Sequence, residues 1–273
     1  MLARAPRHPR LRGVVRTLWA ADPAADGPPC REAVLPTGAI HLVFRLDGPP
    51  LRVFADASGR PTAYGPAVVG GPRTTAYVRE AAATRSVGAL LEAGAASLLL
   101  GLPAGELAEQ HVDLEGLWGP AAHHAAERLA AAGDAAERLD RFEMLLAARL
   151  REGAALHPAV AMALACFERG ADVGSVVRAS GLSHRHFLHL FRDAVGLLSK
   201  SHCRVRRFQR ALGLLHTRPA IETALACGYA DQPHFQREFR AIAGLTPGDY
   251  LRLAPLQRNH VPLPARVNSF QDG

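Results

Sequence analysis

The chain has 273 residues, of which 48% are hydrophobic and 21% charged, with a formal net charge of +7. This is the composition of a globular protein long enough for two ordinary domains. No apolar run approaches the ~18 residues of a membrane span, and Cys30, Cys166, Cys203 and Cys227 show neither C-x-x-C spacing nor a disulfide framework. The expectation is a cytoplasmic protein with reduced thiols and no membrane partner.

Residues 1–10 are basic, are followed by no apolar leader segment, and read as a loose arm. Short β-prone runs follow at Leu11–Ala20, Glu32–Leu35, Ile40–Leu46, Leu51–Ala55, Thr74–Arg79 and Ser86–Leu91, punctuated by Pro36-Thr37-Gly38 and Gly48-Pro49-Pro50. They predict an antiparallel sheet or barrel-like domain. Gly70-Gly71 reads as a turn. Helical patterns begin at Pro103–Gln110 and Leu114–Ala132. Asp134 then caps Ala135–Arg151, which puts Leu139, Phe142, Leu145 and Leu146 on one face. The fold class is therefore α+β, with an N-terminal domain at 1–152, a hinge at Gly153, and an all-α domain at 153–254. Residues 255–273, rich in Pro and polar side chains, read as a poorly ordered tail.

Within the second domain, helices are predicted at His157–Arg169, Val173–Ser180, His184–Val195, Ser199–His216 and Pro219 onward. Ser183 and Asp231 are N-caps, 48 residues apart, and the sequence after each repeats. Phe187 and Phe235 stand four residues after the cap, Phe191 and Phe239 eight, Arg192 and Arg240 nine, Gly196 and Gly244 thirteen, His202 and Tyr250 nineteen. Each phenylalanine pair has i, i+4 spacing and faces the unit's first helix, which leaves the intervening polar positions outward. Two helix-turn-helix units on a rigid connector can enter successive major grooves about 34 Å apart. The charge lies where this reading needs it. Residues 155–273 carry 15 Lys and Arg against 8 Asp and Glu, a balance of +7, while the rest of the chain, 17 against 17, is neutral.

These residues resemble the AraC/XylS-type transcription regulators. The resemblance is carried by ASGLSHRHFLHLFRDAVG (Ala179–Gly196), RFQRAL (Arg207–Leu212) and ACGYADQPHFQREFRAIAGLTPGDY (Ala226–Tyr250), and it covers Ala161 to Leu253. It implies seven C-terminal helices with two helix-turn-helix units. LPTGAIHLVF (Leu35–Phe44) and LLLGLPAGEL with LWG (Leu98–Gly119) are similar to an uncharacterised sensor-like domain found on some such regulators, which implies a sensor or dimerisation role for residues 1–152. Departures from the pattern are Ser199 where the second unit has Pro247, His202 where it has Tyr250, and Val177 where it has Ala224. Thr223 occupies a usually aliphatic position, and Thr37 and His41 stand where acidic residues are usual.

The expected base contacts are Arg185, Leu188 and His189 from the first recognition helix, and Gln232, Pro233, Gln236 and Arg237 from the second. Arginine pairs with guanine, glutamine with adenine, and leucine meets a thymine methyl. Arg192, Lys200 and Arg240 are assigned to phosphates, and Arg207 to bracing the connector. The expected partner is operator DNA. A small-molecule effector, RNA polymerase if the protein activates, and a second copy of the chain are further candidates, and the site of action is the nucleoid. No catalytic, metal or cofactor site is expected. There is no Walker-type loop, no G-x-S-x-G and no H-E-x-x-H, and His184, His186 and His189 lack a completing ligand. His123 and His124 read as surface residues, Trp19 and Trp118 as core, and Cys30 as an inert thiol unless it is exposed in an electropositive setting. The competing readings are a constitutive regulator with a purely structural N-terminal domain, and a small-molecule-binding or enzymatic domain tethered to DNA.

Overall fold

A computed structural model describes residues 1–22, 30–54, 59–82, 84–151 and 156–263. The N-terminal strands are β1 (Leu2–Arg4), β2 (Val15–Ala21), β3 (Cys30–Val34), β4 (His41–Arg45), β5 (Leu51–Phe54), β6 (Pro61–Tyr64), β7 (Ala67–Gly70), β8 (Tyr77–Ala81), β9 (Ser86–Leu91) and β10 (His111–Asp113). Helices α1 (Ala96–Leu99), α2 (Glu115–Trp118), α3 (Pro120–Ala130) and α4 (Ala135–Arg149) complete this part. Among the described residues seven helices follow, α5 (Pro158–Glu168), α6 (Val173–Ala179), α7 (His184–Val195), α8 (Ser199–Leu214), α9 (Ala220–Ala226), α10 (Gln232–Ala243) and α11 (Pro247–Leu253), and then a strand, β11, at His260–Pro262.

All pairings are antiparallel. One sheet runs β1-β2-β9-β4-β7-β10, the other β11-β3-β8-β5-β6. Alternate side chains of the first sheet serve two different interiors. Leu42 and Phe44, Ala67 and Val69, and Val87, Ala89 and Leu91 join Leu139, Phe142 and Leu146 of α4 in the largest core. The opposite parity, with Val68 beside Leu51 and Val53 of the second sheet, faces the space between the sheets. A sheet covered on both faces has no polar side, and for that reason the alternation in the sequence is imperfect and β7, all buried, reads as no strand.

Several expectations are corrected. Residues 1–10 are no loose arm. Leu2–Arg4 pairs with Leu18–Ala20, Arg4 bonds Asp140 at 2.6 Å, and the His8 amide donates to Glu143 at 2.6 Å. The buried Glu143 carboxylate is the reason: it takes backbone and guanidinium donors that otherwise stay with water. The predicted helix at Pro103–Gln110 shrinks to a 3-10 turn over Ala104–Leu107. The one at Leu114–Ala132 breaks in two, because Gly119 takes φ +59 and Pro120 restarts the chain. The predicted turn at Gly70-Gly71 begins only at Gly71, since β7 runs through Gly70. The helix at Asp134 forms as expected, with the carboxylate accepting from the Glu137 amide at 2.8 Å.

The largest correction concerns the tail. After α11 the chain reverses at Ala254 (φ 42) and β11 pairs with β3, His260 opposite Val34 and Pro262 opposite Glu32. Val261, Ala33 and Leu35 are buried in the core of the second helix-turn-helix unit, alongside Phe208, Phe235 and Tyr250. Here the apolar pair of valine and alanine outweighs the polar composition around it. The expected hinge at Gly153 and residues 264–273 lie outside the described residues.

Candidate DNA interface

Each recognition helix is set by its ends and by one buried pair. Ser183 accepts from the His186 amide at 3.3 Å to start α7, and Gly196 ends it at φ +88. Asp231 accepts from the His234 amide at 2.6 Å to start α10, and Gly244 ends it at φ +74. Phe187, Phe191, Phe235 and Phe239 are all fully buried. In the first unit Phe191 packs on Phe167 of α5 and His202 of α8, both with ring centroids 5.6 Å away. In the second, Phe239 packs on Phe208 of α8 at 5.1 Å and Tyr250 of α11 at 6.0 Å. The connector α8 thus supplies a ring to both units, with Val205, Phe208, Ala211 and Leu212 buried along one face as the spacing required.

The faces opposite these pairs are turned to solvent. Arg185, His189 and Arg192 on α7 are exposed, as are Pro233, Gln236, Arg237 and Arg240 on α10 and Lys200 on α8. Ser183, Arg185, His186 and His189 line an open cleft at the start of α7. Gln232 is half-buried, and so is Leu188, which rests against the first unit's core and offers less free surface than its position suggests. His189 Nε2 lies 3.4 Å from the Asp193 carboxylate.

Arg207 does not reach outward. It makes a two-pronged bond to Glu238 at 3.0–3.2 Å and lies over the Tyr229 ring at 4.8 Å. Arg204 and His234 flank the same carboxylate. Glu238, which the sequence reading passed over, thereby has its charge taken up away from the exposed face of α10. Its place one residue before Phe239 in the repeat was the signal that could have found it.

The two units differ where the sequence departs from its own repeat. Thr246 and Asp249 form a reciprocal capping box at the start of α11. The equivalent start of α8 has Leu198 as its cap, with no side-chain bond, and a fully buried Ser199 hydroxyl without a partner. His202 is 4% exposed and neither ring nitrogen has a hydrogen-bond partner. Burial holds its pKa down at about 4, so the ring is neutral. Tyr250 in the same place donates to the Arg258 carbonyl at 3.1 Å.

A second polar assembly lies between the two sheets. His41, Gly70 and His111 stand side by side across β4, β7 and β10, and the His111 ring lies over Gly70 at contact distance. His41 bonds Thr37 at 3.0 Å. His111 packs on Tyr77 of β8 with centroids 4.7 Å apart and on Tyr64 at 5.5 Å. Arg73 reaches His111 Nδ1 at 3.1 Å and lies 4.7 Å from the Tyr77 ring. Burial first, then the surrounding cations, pushes His111 down to about 3 and His41 to about 4. The Glu32 carboxylate is occupied by Arg79 at 2.5 Å and His260 at 3.0 Å. Among these groups the sequence reading had noted only Thr37 and His41. Register sets His111 beside Gly70 and His41, while the packing of the two sheets and the loop after β7 bring in Tyr77 and Arg73.

Of the remaining expectations, His123 and His124 are exposed, and Trp118 is buried against Phe44 with Arg149 over its ring. No side-chain placement is described for Cys30. Among the described residues no three His, Cys, Asp or Glu are grouped to hold a metal ion, and no helix is long and apolar enough to cross a membrane.

Comparison with known proteins finds matches to two separate stretches of the chain. Residues 176–253 match the family model described as a helix-turn-helix domain, and residues 3–113 match a domain of unknown function (DUF6597). The F1 operon positive regulatory protein of Yersinia pestis is 38% identical over 86 residues, which are 31% of this chain and 28% of that protein. The chain thus matches less than a third of that relative's length. The C-terminal domain of AraT, a response regulator from Geobacillus stearothermophilus, is 23% identical, covering 36% of this chain and 88% of that one with a TM-score of 0.34. ToxT from Vibrio cholerae O395 is 8% identical, covering 86% of this chain and 95% of that one with a TM-score of 0.44.

Proposed function

We propose that residues 176–253, which match a helix-turn-helix domain model, are of the AraC type and that the whole protein is a sequence-specific transcription regulator that reads successive major grooves of operator DNA with α7 and α10. The observation that carries this is the duplicated exposed face: both helices are pinned by a fully buried phenylalanine pair and both leave arginine and amide or imidazole side chains in solvent. Arg185, His189, Gln232, Pro233, Gln236 and Arg237 are the base readers, with Leu188 contributing its remaining free edge to a thymine methyl. Arg192, Lys200 and Arg240 hold phosphates. The N-terminal domain sets the response to a small molecule, and its inter-sheet assembly is the seat of that control. RNA polymerase is a further partner if the protein activates, a second copy of the chain is another, and the place of action is the nucleoid.

Selection of bound fragments from random DNA by the full chain tests the DNA reading. Two sequence blocks one helical turn apart are expected, and a single block would mean one reading head. Arg185→Ala and Arg237→Ala each weaken operator binding by about 1–3 kcal/mol without lowering the melting temperature; unchanged affinity in both defeats the residue assignment. For the effector, melting of the full chain against a metabolite library is the screen. A library in which no compound alters operator binding sinks the effector reading and leaves the DNA reading standing.

A further inference from the structure

The two reading helices are held in place by different means. The end of α7 rests on the N-terminal domain, with Gly196 packed on Pro72 and Ala104, and Gly105 beside the Arg192 carbonyl and the Asp193 side chain. The connector α8 is seated as well, Gln209 donating to the Pro36 carbonyl at 2.8 Å and Gly38 lying against Val205. α10 meets that domain at its last turn, where the Ala76 amide donates at 2.8 Å to the Ile242 carbonyl. With α7 and α8 seated, the distance and angle between the reading heads depend on how the N-terminal part of α10 is held.

One carboxylate holds it to the connector. The Glu238 side chain is only 10% exposed and takes the two-pronged bond from Arg207, with Arg204 Nε at 3.5 Å. Both arginines belong to α8, and His234 of α10 approaches the same carboxylate at 4.0 Å. Phe235 and Phe239 set how deeply α10 is buried, but apolar contact is non-directional. A guanidinium fork on a carboxylate also fixes an angle. Gln236 and Arg237 directly precede Glu238, so a tilt of α10 at this point carries its readers with it. In the first unit the position seven residues after the cap is Leu190, which packs against that unit's apolar core. The ionic tie therefore belongs to the second head. We propose that Glu238 is a positioning residue that sets the spacing the protein accepts between its two operator blocks. Through Arg207 and Arg204 it fixes the angle between α8 and α10, and with it the register in which α7 and α10 meet successive grooves. This rests on the two-headed reading given above and names the residue that makes it selective for spacing. One base pair more or less between the blocks moves the second by about 3.4 Å along the duplex and about a tenth of a turn around it. A clamped α10 does not follow that shift, whereas one held by its phenylalanines alone tilts towards it.

The test is fluorescence anisotropy with the full chain, on the selected operator and on duplexes with one base pair added or removed between its two blocks. The wild type is expected to lose about tenfold or more in affinity for either change of spacing. Glu238→Gln keeps the size of the side chain and removes its charge. It should bind the original spacing within about fivefold of the wild type and lose no more than about threefold when the spacing changes. Arg207→Gln, which breaks the same bond from the other side, should broaden the tolerance in the same way. Thr246→Ala loosens the second unit at the α11 cap without touching the tie, and should keep the wild-type discrimination. Each discrimination is a ratio of affinities measured on one protein, so an unfolded fraction cancels from it. Glu238→Gln that still discriminates tenfold overturns the proposal, and so does Thr246→Ala broadening as much as Glu238→Gln. A wild type that accepts either spacing within threefold overturns it too. All three outcomes leave the two-headed reading standing, whereas selection of a single sequence block defeats that reading and this proposal together.

Discussion

Replacing His202 by phenylalanine should stabilise the protein, and more so in mild acid. The imidazole sits fully enclosed against Phe191 at 5.6 Å and Phe167 at 6.4 Å, with two polar nitrogens that find no partner. Burying an unsatisfied polar group costs about 1–3 kcal/mol. A phenyl ring is slightly larger, and a swap of such similar volume costs under about 1.5 kcal/mol. The net gain at pH 7.5 is therefore about 1 kcal/mol. The pH dependence adds to it. In the unfolded chain the histidine takes its proton near pH 6.5, whereas in the folded protein it resists until about pH 4. A depressed base of this kind costs nothing above pH 6.5 and lowers stability as pH falls from there towards 4. At pH 5 the loss is about 2 kcal/mol, and the His202→Phe variant would not suffer it. Urea unfolding of both proteins at pH 7.5 and pH 5 measures the difference, which should grow from about 1 to about 3 kcal/mol. Equal stability at pH 7.5 together with an unchanged difference at pH 5 would refute the claim that this histidine is enclosed and unpaired.

His41 and His111 follow the same sign, since both are held well below their ordinary value by burial, at about 4 and about 3. His111→Phe should therefore flatten the loss of stability between pH 6.5 and 4, read by the same urea titrations. Thr246→Ala removes the capping box of α11 and should cost about 1 kcal/mol, while Leu198→Ser, at the bare cap of α8, should gain up to about that much; thermal melts of the two variants should move in opposite directions. Arg207→Ala breaks the two-pronged bond to Glu238 and uncovers Tyr229, so it should lower the melting temperature by an amount worth about 1–2 kcal/mol. The slope of operator affinity against salt should stay as it was, whereas Arg240→Ala should reduce that slope by about one unit.

The C-terminal half was legible because its instructions are local. A cap, an i, i+4 phenylalanine pair and a terminating glycine each act within one helix turn or two, and here they occur twice, so α7 and α10 could be drawn residue by residue from Ser183 to Gly196 and from Asp231 to Gly244. The brace at Arg207 was legible as a position, while its partner Glu238 was not, because the pair is closed by the angle between α8 and α10. The N-terminal half was readable only as strands and turns. β4 and β9 form within the predicted runs, but β7 is buried along its whole length and carries no alternation, and nothing in the pattern marked the strand order. His41, Gly70 and His111 are neighbours only by register, and a one-residue slip would scatter them. The sequence by itself determined that there are two matching capped helices, that most of their outward positions, though not Leu188 or Gln232, lie in solvent, and that the basic charge lies with them. Only the tertiary structure decided that β11 returns to the first domain, that Arg73 turns inward to His111 and Tyr77, and that Arg207 closes onto Glu238. Those contacts depend on packing between distant parts of the chain, and no local propensity or spacing encodes them.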